Sequence, residues 1–122
     1  MSAKKFDKGK TRWDLLPFRE IEEVAEVLTY GAAKYGANNW KRGIDWDRLF
    51  AATLRHMSAL KTEGRDDPES GKKHLAHAVC NLLFMMYFDN EKPPGKTLME
   101  VFEGEEKEKE FDDVRVPSSE ES

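Results

Sequence analysis

Three stretches of the sequence repeat their apolar residues every three or four positions, the spacing of one face of an α-helix. They predict helices at about residues 18–35, 46–63 and 72–88. Asp45 is the predicted N-cap of the second helix, and Gly36 and Gly64 are predicted to end the first two. No stretch shows sustained strand alternation with hairpin turn signals. We therefore predict an all-α fold, a small bundle of three main helices with short terminal segments.

The third stretch, GKKHLAHAVCNLL, carries three polar residues inside an apolar run. His74, His77 and Asn81 are spaced i, i+3 and i+7, so they share one narrow stripe of a helix. The rest of the circumference is almost entirely apolar, and a helix that is apolar nearly all round is normally buried. The stripe is therefore predicted to face something polar inside the protein.

Composition indicates one globular domain that does not cross a membrane. The chain has 122 residues, of which 39% are hydrophobic and 36% charged. No apolar stretch approaches the roughly 20 residues needed to span a bilayer, and the N-terminal residues lack the apolar segment of a signal peptide. We expect a cytoplasmic protein. Cys80 is the single cysteine, which excludes an intramolecular disulfide, and it is predicted to be a small core residue.

Charge divides the chain into two parts. Residues 101–122 hold nine acidic and three basic residues, a net charge of −6, so residues 1–100 carry +2 of the total of −4. The sequence KPPGK precedes this acidic segment and is typical of a boundary. We predict a folded domain over residues 1–92 and an acidic, flexible tail over residues 93–122.

Carboxylates and imidazoles are predicted to meet where the second helix turns into the third. His56 and Glu63 are seven residues apart and share a face of the second helix. In an antiparallel helix pair with a short link, the end of one helix lies beside the start of the next. Such a cluster at the mouth of a helical bundle is typical of a metal site. The residues predicted to converge are Glu63, Asp67, Glu69, His74 and His77.

Several known signatures of metal and phosphate sites are absent from the sequence. HLAHA lacks the glutamate and the i, i+4 spacing of HExxH, and no HD dipeptide occurs. There is no GxxxxGK[ST] loop, no GxGxxG turn and no second cysteine for a zinc deaminase site.

The connection YGANNWKRGIDW joins the first two helices and is rich in amide, indole and basic side chains. Loops held by a rigid scaffold often carry function. The alternative is a polar turn that Trp40 and Trp46 attach to the core.

The segments GKTRWDLLPF, VLTYGAAKYGANNWKRG and LRHMSALKTEGRDDPESGKKHLAHAVCNLLF resemble the phage dATP/dGTP diphosphohydrolases, in their N-terminal domain, over about residues 9–90. That family is associated with the all-α MazG-like nucleoside triphosphate pyrophosphohydrolases. The resemblance implies cleavage between the α- and β-phosphates of dGTP or dATP, which releases the monophosphate and pyrophosphate. It also implies Mg²⁺ as cofactor, a homodimer or homotetramer, and no direct binding of nucleic acid.

The sequence departs from the superfamily pattern, which is EExxE on one helix and ExxD on the next. Glu22, Glu23 and Glu26 form EExxE on the first helix, but the place of ExxD is taken by HLAH. Because imidazole suits Mn²⁺, Co²⁺ or Zn²⁺ better than Mg²⁺, the identity of the metal remains open.

The resemblance implies that two divalent ions bridge the triphosphate and activate a water. The candidate metal ligands are Glu63, Asp67, His74 and His77, and the candidate catalytic groups are Glu63, Glu69 and His56. The candidate substrate contacts are Lys34, Lys41, Arg42 and Arg55 for phosphates, Asn38 and Asn39 for a purine edge, Tyr30 or Trp40 for stacking, and Asn81 for a ligand or the substrate.

Two alternatives remain. One is a phosphohydrolase that cuts a different bond, and the other is a non-catalytic helical module that binds a nucleotide or a host protein. We also expect oligomerisation, because three helices bury a bundle poorly and the first helix offers Val27 and Tyr30 on a second, partly apolar face.

Overall fold

The fold is known from a computed structural model that describes residues 3–6 and 8–92. Within these residues it contains three α-helices, α1 (Phe18–Tyr35), α2 (Trp46–Thr62) and α3 (His74–Glu91). Two short 3₁₀ turns, Trp13–Leu15 and Asn39–Arg42, precede α1 and α2, and no strand occurs in the described part of the chain. The predicted all-α bundle is confirmed, whereas the predicted tail at 93–122 lies outside the described residues.

The ends of the helices follow local chain chemistry. Gly36 adopts φ 95° and donates its N–H to Ala32 O at 2.8 Å, which ends α1. Gly64 has φ 85° directly after the last residues of α2. Both conformations favour glycine, because a Cβ would be strained there. Asp45 occupies the predicted N-cap position of α2 but makes no capping hydrogen bond with its side chain.

The connection between α2 and α3 folds back on itself. Asp67 N–H donates to Lys72 O at 2.8 Å, and His74 N–H donates to Arg65 O at 2.9 Å. Because Lys72 and Lys73 take part in this folded connection, α3 begins at His74, two residues later than expected. Its first turn therefore lies beside the end of α2.

The core lies between α1 and α3. Val24 and Val27 of α1 pack against Ala76 and Cys80 of α3, with Phe84 beside them. Cys80 is buried, as predicted, and burial raises the pKa of its thiol to about 12. The prediction that Val27 lies on a second face of α1, free for another chain, is wrong, since its side chain is part of the core.

α3 is not buried all round, contrary to the expectation. The other two described helices cover only part of its circumference, and one side stays exposed to solvent. The exposed apolar residues of α3 are Leu75, Val79, Leu82, Leu83 and Met86. None of the described helices is both long enough and apolar enough to span a bilayer.

Candidate metal centre

Three of the predicted ligands meet at the junction of α2 and α3. One ligand atom each from Glu63, Asp67 and His74 lies within 4.8 Å of the other two. Glu63 follows the last residue of α2, Asp67 belongs to the connection and His74 opens α3. The backward fold of the connection brings them together, and we call this group the triad.

The contacts of His74 leave one ring nitrogen available to a metal. His74 is 2% exposed, and its Nε2 lies 2.9 Å from Glu63 Oε1. That pair lacks hydrogen-bond geometry, so Nε2 has no hydrogen-bond partner among the described residues. A buried polar atom of this kind normally has a partner, and a cation between imidazole and carboxylate would supply one.

The other ring nitrogen of His74 pairs with His56 of α2. The two Nδ1 atoms are 2.9 Å apart, so one imidazole donates and the other accepts. With His74 as the donor, its Nε2 keeps a lone pair for a metal, which is the usual arrangement of a histidine ligand. Burial, followed by the neighbouring imidazoles of His77 and His74, lowers the pKa of His56 to about 4, so His56 is neutral near pH 7 and can accept.

His77 contacts the connection and lies outside the triad. It is 1% exposed and its ring stacks on His56 with centroids 4.5 Å apart. Its Nε2 lies 2.7 Å from Ser70 Oγ and 3.5 Å from Asp67 Oδ2. Burial is the main cause that lowers the pKa of His77.

Ser70 connects His77 to Asp67, and sequence reasoning missed it because Ser-Gly is an ordinary turn pair. Its Oγ lies 3.0 Å from Asp67 Oδ2 and accepts Lys72 N–H at 3.1 Å. Burial favours the neutral form of Asp67, but hydrogen bonds from Glu69 N–H and Ser70 outweigh it, so the pKa of Asp67 is lowered and the carboxylate accepts. Because Ser70 donates its only hydroxyl proton to Asp67, Nε2 of His77 must carry a proton and donate it to Ser70 Oγ. This arrangement favours an orienting role for His77 over the predicted ligand role.

Glu69 points away from the triad, toward α1. Its Oε1 lies 3.0 Å from Lys34 Nζ, and this hydrogen bond raises the pKa of Lys34. Glu69 remains close to the centre through its backbone, because its N–H donates to Asp67 Oδ1 at 3.2 Å.

The candidate substrate residues fall into two groups around a cavity of about 570 Å³. Those that line it are Asn38, Asn39, Trp40, Lys41 and Asn81, while Tyr30, Lys34, Arg42 and Arg55 are not among its lining residues. One face of the Trp40 ring is stacked on Phe84 at 4.3 Å, so the indole attaches the loop to α3 as the alternative interpretation expected. Trp46 stacks on Phe50 within α2 instead.

Two of the three glutamates in the EExxE motif of α1 form ion pairs with lysines. Glu23 lies 2.5 Å from Lys73 Nζ and Glu26 lies 3.4 Å from Lys72 Nζ. These ion pairs attach α1 to the residues before α3. No EExxE glutamate belongs to a potential metal cluster among the described residues.

Comparison with known sequences decides the family. Residues 1–97 match the family described as dATP/dGTP diphosphohydrolase, N-terminal. The chain belongs to this family. A dATP/dGTP diphosphohydrolase of Salmonella phage PMBT28 is 41% identical over 93 residues, which make up 76% of this chain and 32% of the phage protein. The matched part of the chain thus spans about a third of that relative's length. No solved structure matches this chain.

Membership of the dATP/dGTP diphosphohydrolase family confirms the resemblance drawn from the three sequence segments. The match over residues 1–97 includes the whole triad, the cavity and all three described helices.

Proposed function

We propose that this domain hydrolyses dATP and dGTP to the monophosphate and pyrophosphate with the help of a divalent metal held by Glu63, Asp67 and His74. The observation that carries the proposal is the triad, with the unpartnered, buried Nε2 of His74 at its centre. Membership of a family described as dATP/dGTP diphosphohydrolase, N-terminal, supports the substrate class and hydrolysis. The name of the phage relative agrees, although the matched residues make up only 32% of that protein.

The donor set suits a metal of intermediate hardness. Two carboxylates and one imidazole can bind Mn²⁺ well, whereas Mg²⁺ prefers oxygen ligands alone and Co²⁺ or Zn²⁺ accept more nitrogen. When bound, such an ion would compensate phosphate charge and lower the pKa of a nearby water. We expect Mn²⁺ to support activity at least as well as Mg²⁺.

We assign the roles of positioning residue, base and phosphate contact to side chains near the triad. His56 orients His74 through the Nδ1 pair and lies behind it, so it is a positioning residue and not a base. Glu63 and Glu69 are both exposed, which lets them approach the substrate. Glu69 is the candidate base outside the triad, and to act on a water there its side chain would have to leave Lys34. Lys34 lies beside Glu69 and offers its ammonium group to the phosphates.

Product analysis tests the proposed reaction. The domain is incubated with dGTP, dATP, dCTP or dTTP in the presence of Mn²⁺ or Mg²⁺, and the products are separated by anion-exchange chromatography. We expect dGMP or dAMP with pyrophosphate, and no turnover after chelation. Release of triphosphate or inorganic phosphate would instead establish a different bond specificity. Absence of turnover with every metal would favour the non-catalytic binding module.

A matched pair of variants assigns that activity to the triad. His74→Ala removes the proposed nitrogen ligand and should abolish turnover and weaken Mn²⁺ binding in calorimetric titration. Glu91→Gln changes an exposed carboxylate at the far end of α3 and should leave both measurements unchanged. Unchanged Mn²⁺ affinity in His74→Ala would refute the proposed site.

A further inference from the structure

The cavity lies apart from the triad and farther along α3. It is bounded by α1, the connection to α2, the first turn of α2 and the middle of α3, and none of the three triad residues lines it. Its volume of about 570 Å³ falls within the range of sites that hold small molecules. Its walls are largely apolar, with Leu49, Cys80 and Phe84 among them.

Asn81 is the buried polar group of this cavity. Its side chain is 2% exposed, and its amide nitrogen Nδ2 has no hydrogen-bond partner among the described residues. Burying an amide N–H without an acceptor is unfavourable, and buried side-chain donors are normally satisfied. Because Asn81 lines the cavity, a ligand there can supply the missing acceptor.

We propose that this cavity, the base pocket, holds the purine base of the substrate and that Asn81 Nδ2 donates a hydrogen bond to N7 of that base. The inference rests on the proposed function, which names adenine and guanine nucleotides together. N7 is an acceptor in both adenine and guanine, and pyrimidines lack it. A flat, largely apolar base also suits walls made of aliphatic and aromatic side chains.

The distance between Asn81 and the triad matches the distance between the base of a nucleotide and the bond that is cut. Asn81 follows His74 by seven residues, so the two lie on the same face of α3 and about 10 Å apart along its axis. The sugar and first phosphate of a nucleotide lie between the base and the bond that is cut. Their length is comparable with this separation.

Lys34 lies at the rim between the base pocket and the triad. Tyr35, the next residue, and Ala32, two residues before it, line the pocket, while its Nζ lies 3.0 Å from Glu69. Glu69 in turn donates its N–H to Asp67 of the triad. A phosphate chain that leaves the pocket on this side passes an ammonium group before it reaches the triad.

Nucleoside binding tests the base pocket without catalysis. The domain is titrated calorimetrically, in the presence of a chelator, with 2′-deoxyguanosine, 2′-deoxyadenosine, thymidine and 7-deaza-2′-deoxyguanosine. We expect both purine nucleosides to bind more tightly than thymidine. Loss of one hydrogen bond predicts roughly five- to tenfold weaker binding of deoxyguanosine to Asn81→Ala. The control Asn90→Ala, an exposed asparagine two turns later on α3, should bind like the wild type.

The 7-deaza nucleoside identifies the accepting atom. It replaces N7 by carbon, so it should bind the wild type as weakly as deoxyguanosine binds Asn81→Ala. In the variant the two nucleosides should bind equally, because the shared hydrogen bond is already lost. Equal binding of both nucleosides to the wild type would overturn the N7 assignment.

A second variant tests the pocket without removing a buried polar group. Gly31 lines the pocket within α1, and a Cβ placed on it meets no atom within 4 Å. Gly31→Leu should therefore fold with a melting temperature at or above that of the wild type, since glycine is unfavourable inside a helix, and should bind nucleosides at least tenfold more weakly. Wild-type affinity in both Gly31→Leu and Asn81→Ala would refute the base pocket.

Failure of this inference is distinguishable from failure of the proposed function. Hydrolysis of dGTP with an unchanged KM in both pocket variants would refute the pocket and leave the reaction standing. Purine binding that depends on Asn81, without hydrolysis under any metal, would support the pocket and refute the reaction. His74→Ala should lose turnover and keep nucleoside affinity.

Discussion

The two imidazoles of α3 differ in their surroundings although they lie one turn apart. His74 faces two carboxylates with its unpartnered Nε2, while the unpartnered nitrogen of His77 is Nδ1, and its Nε2 is held by Ser70. The His77 ring also stacks on His56. Both are almost completely buried. Residue type and spacing could not distinguish them, because the difference depends on which atoms of the folded connection reach each ring.

The depressed pKa of His56 predicts how stability depends on pH in the metal-free protein. The unfolded chain binds a proton at His56 near pH 6.5, and the folded protein does so only near pH 4. The unfolded state therefore holds more protons between these values, and stability is lost as pH falls from about 6.5 to about 4. The loss should be on the order of 2–3 kcal/mol.

Urea denaturation at pH 7.5 and pH 4.5, with a chelator present, measures this dependence. His56→Gln cannot titrate and should show a smaller difference between the two pH values. A residual difference is expected in the variant, because the pKa of His77 is also lowered by burial. An identical difference in both proteins would contradict the assignment to His56.

At the scale of structural elements, the connection between α2 and α3 is what builds the site. Its backbone hydrogen bonds to Lys72 O and Arg65 O place Asp67 between the end of α2 and the start of α3. Ser70 then holds the side chain of Asp67 toward His77. A straight or looser connection would leave the carboxylates in solvent.

Ser70→Ala tests this element, because it removes the hydroxyl that connects Asp67 and His77. We expect a loss of about 1 kcal/mol in stability and roughly tenfold weaker Mn²⁺ binding, since groups that orient a ligand affect metal affinity. Ser58→Ala, at an exposed position of α2, provides the control. Metal affinity equal to that of the wild type would show that the hydroxyl does not position Asp67.

Substitutions of two glutamates test whether the metal is bound by the triad or by the EExxE motif of α1. Glu63→Gln should lower Mn²⁺ affinity and turnover by at least tenfold, because it removes a proposed charged ligand. Glu26→Gln should change stability by less than about 1 kcal/mol and leave metal binding intact, since its partner Lys72 forms an exposed ion pair. Mn²⁺ titration and steady-state kinetics measure the metal affinity and turnover of both variants. A larger loss of Mn²⁺ affinity in Glu26→Gln than in Glu63→Gln would place the metal at α1.

At the scale of the whole molecule, α2 and α3 each expose large apolar side chains along one face. These residues are Phe50, Leu54 and Met57 of α2, and Leu75, Val79, Leu82, Leu83 and Met86 of α3. Exposed apolar surface of this kind is typical of interfaces. We assign the expected contact between copies to this surface and not to the Val27 face of α1, because Val27 lies in the core.

We therefore predict a homodimer or homotetramer that uses this surface. Light scattering at micromolar concentration should give a multiple of the 14.1 kDa chain mass. Leu82→Lys, on the exposed side of α3, should shift the protein toward the monomer with its helical content retained, whereas Thr62→Lys, at an exposed position of α2 outside its apolar stripe, should not. A monomeric wild type would contradict the prediction.

The helices, their order and the burial of the histidine stripe followed from the sequence. Apolar periodicity and glycine stops are local properties, so the bounds of α1 were predicted to the residue and those of α2 to within one. The burial of His74, His77 and Asn81 was also predicted, but not for the expected reason. α3 is not buried all round, and these residues are buried because their side of the helix faces the rest of the described structure.

Only the tertiary structure decided which of these polar groups act together. Five residues were predicted to converge, and the triad contains three of them, because Glu69 turns to Lys34 and His77 is held by Ser70. It also placed Asn81 in a separate cavity and Val27 in the core. Hydrogen-bond geometry and the path of a connection depend on contacts between residues distant in sequence, and periodicity along one helix carries no information about them.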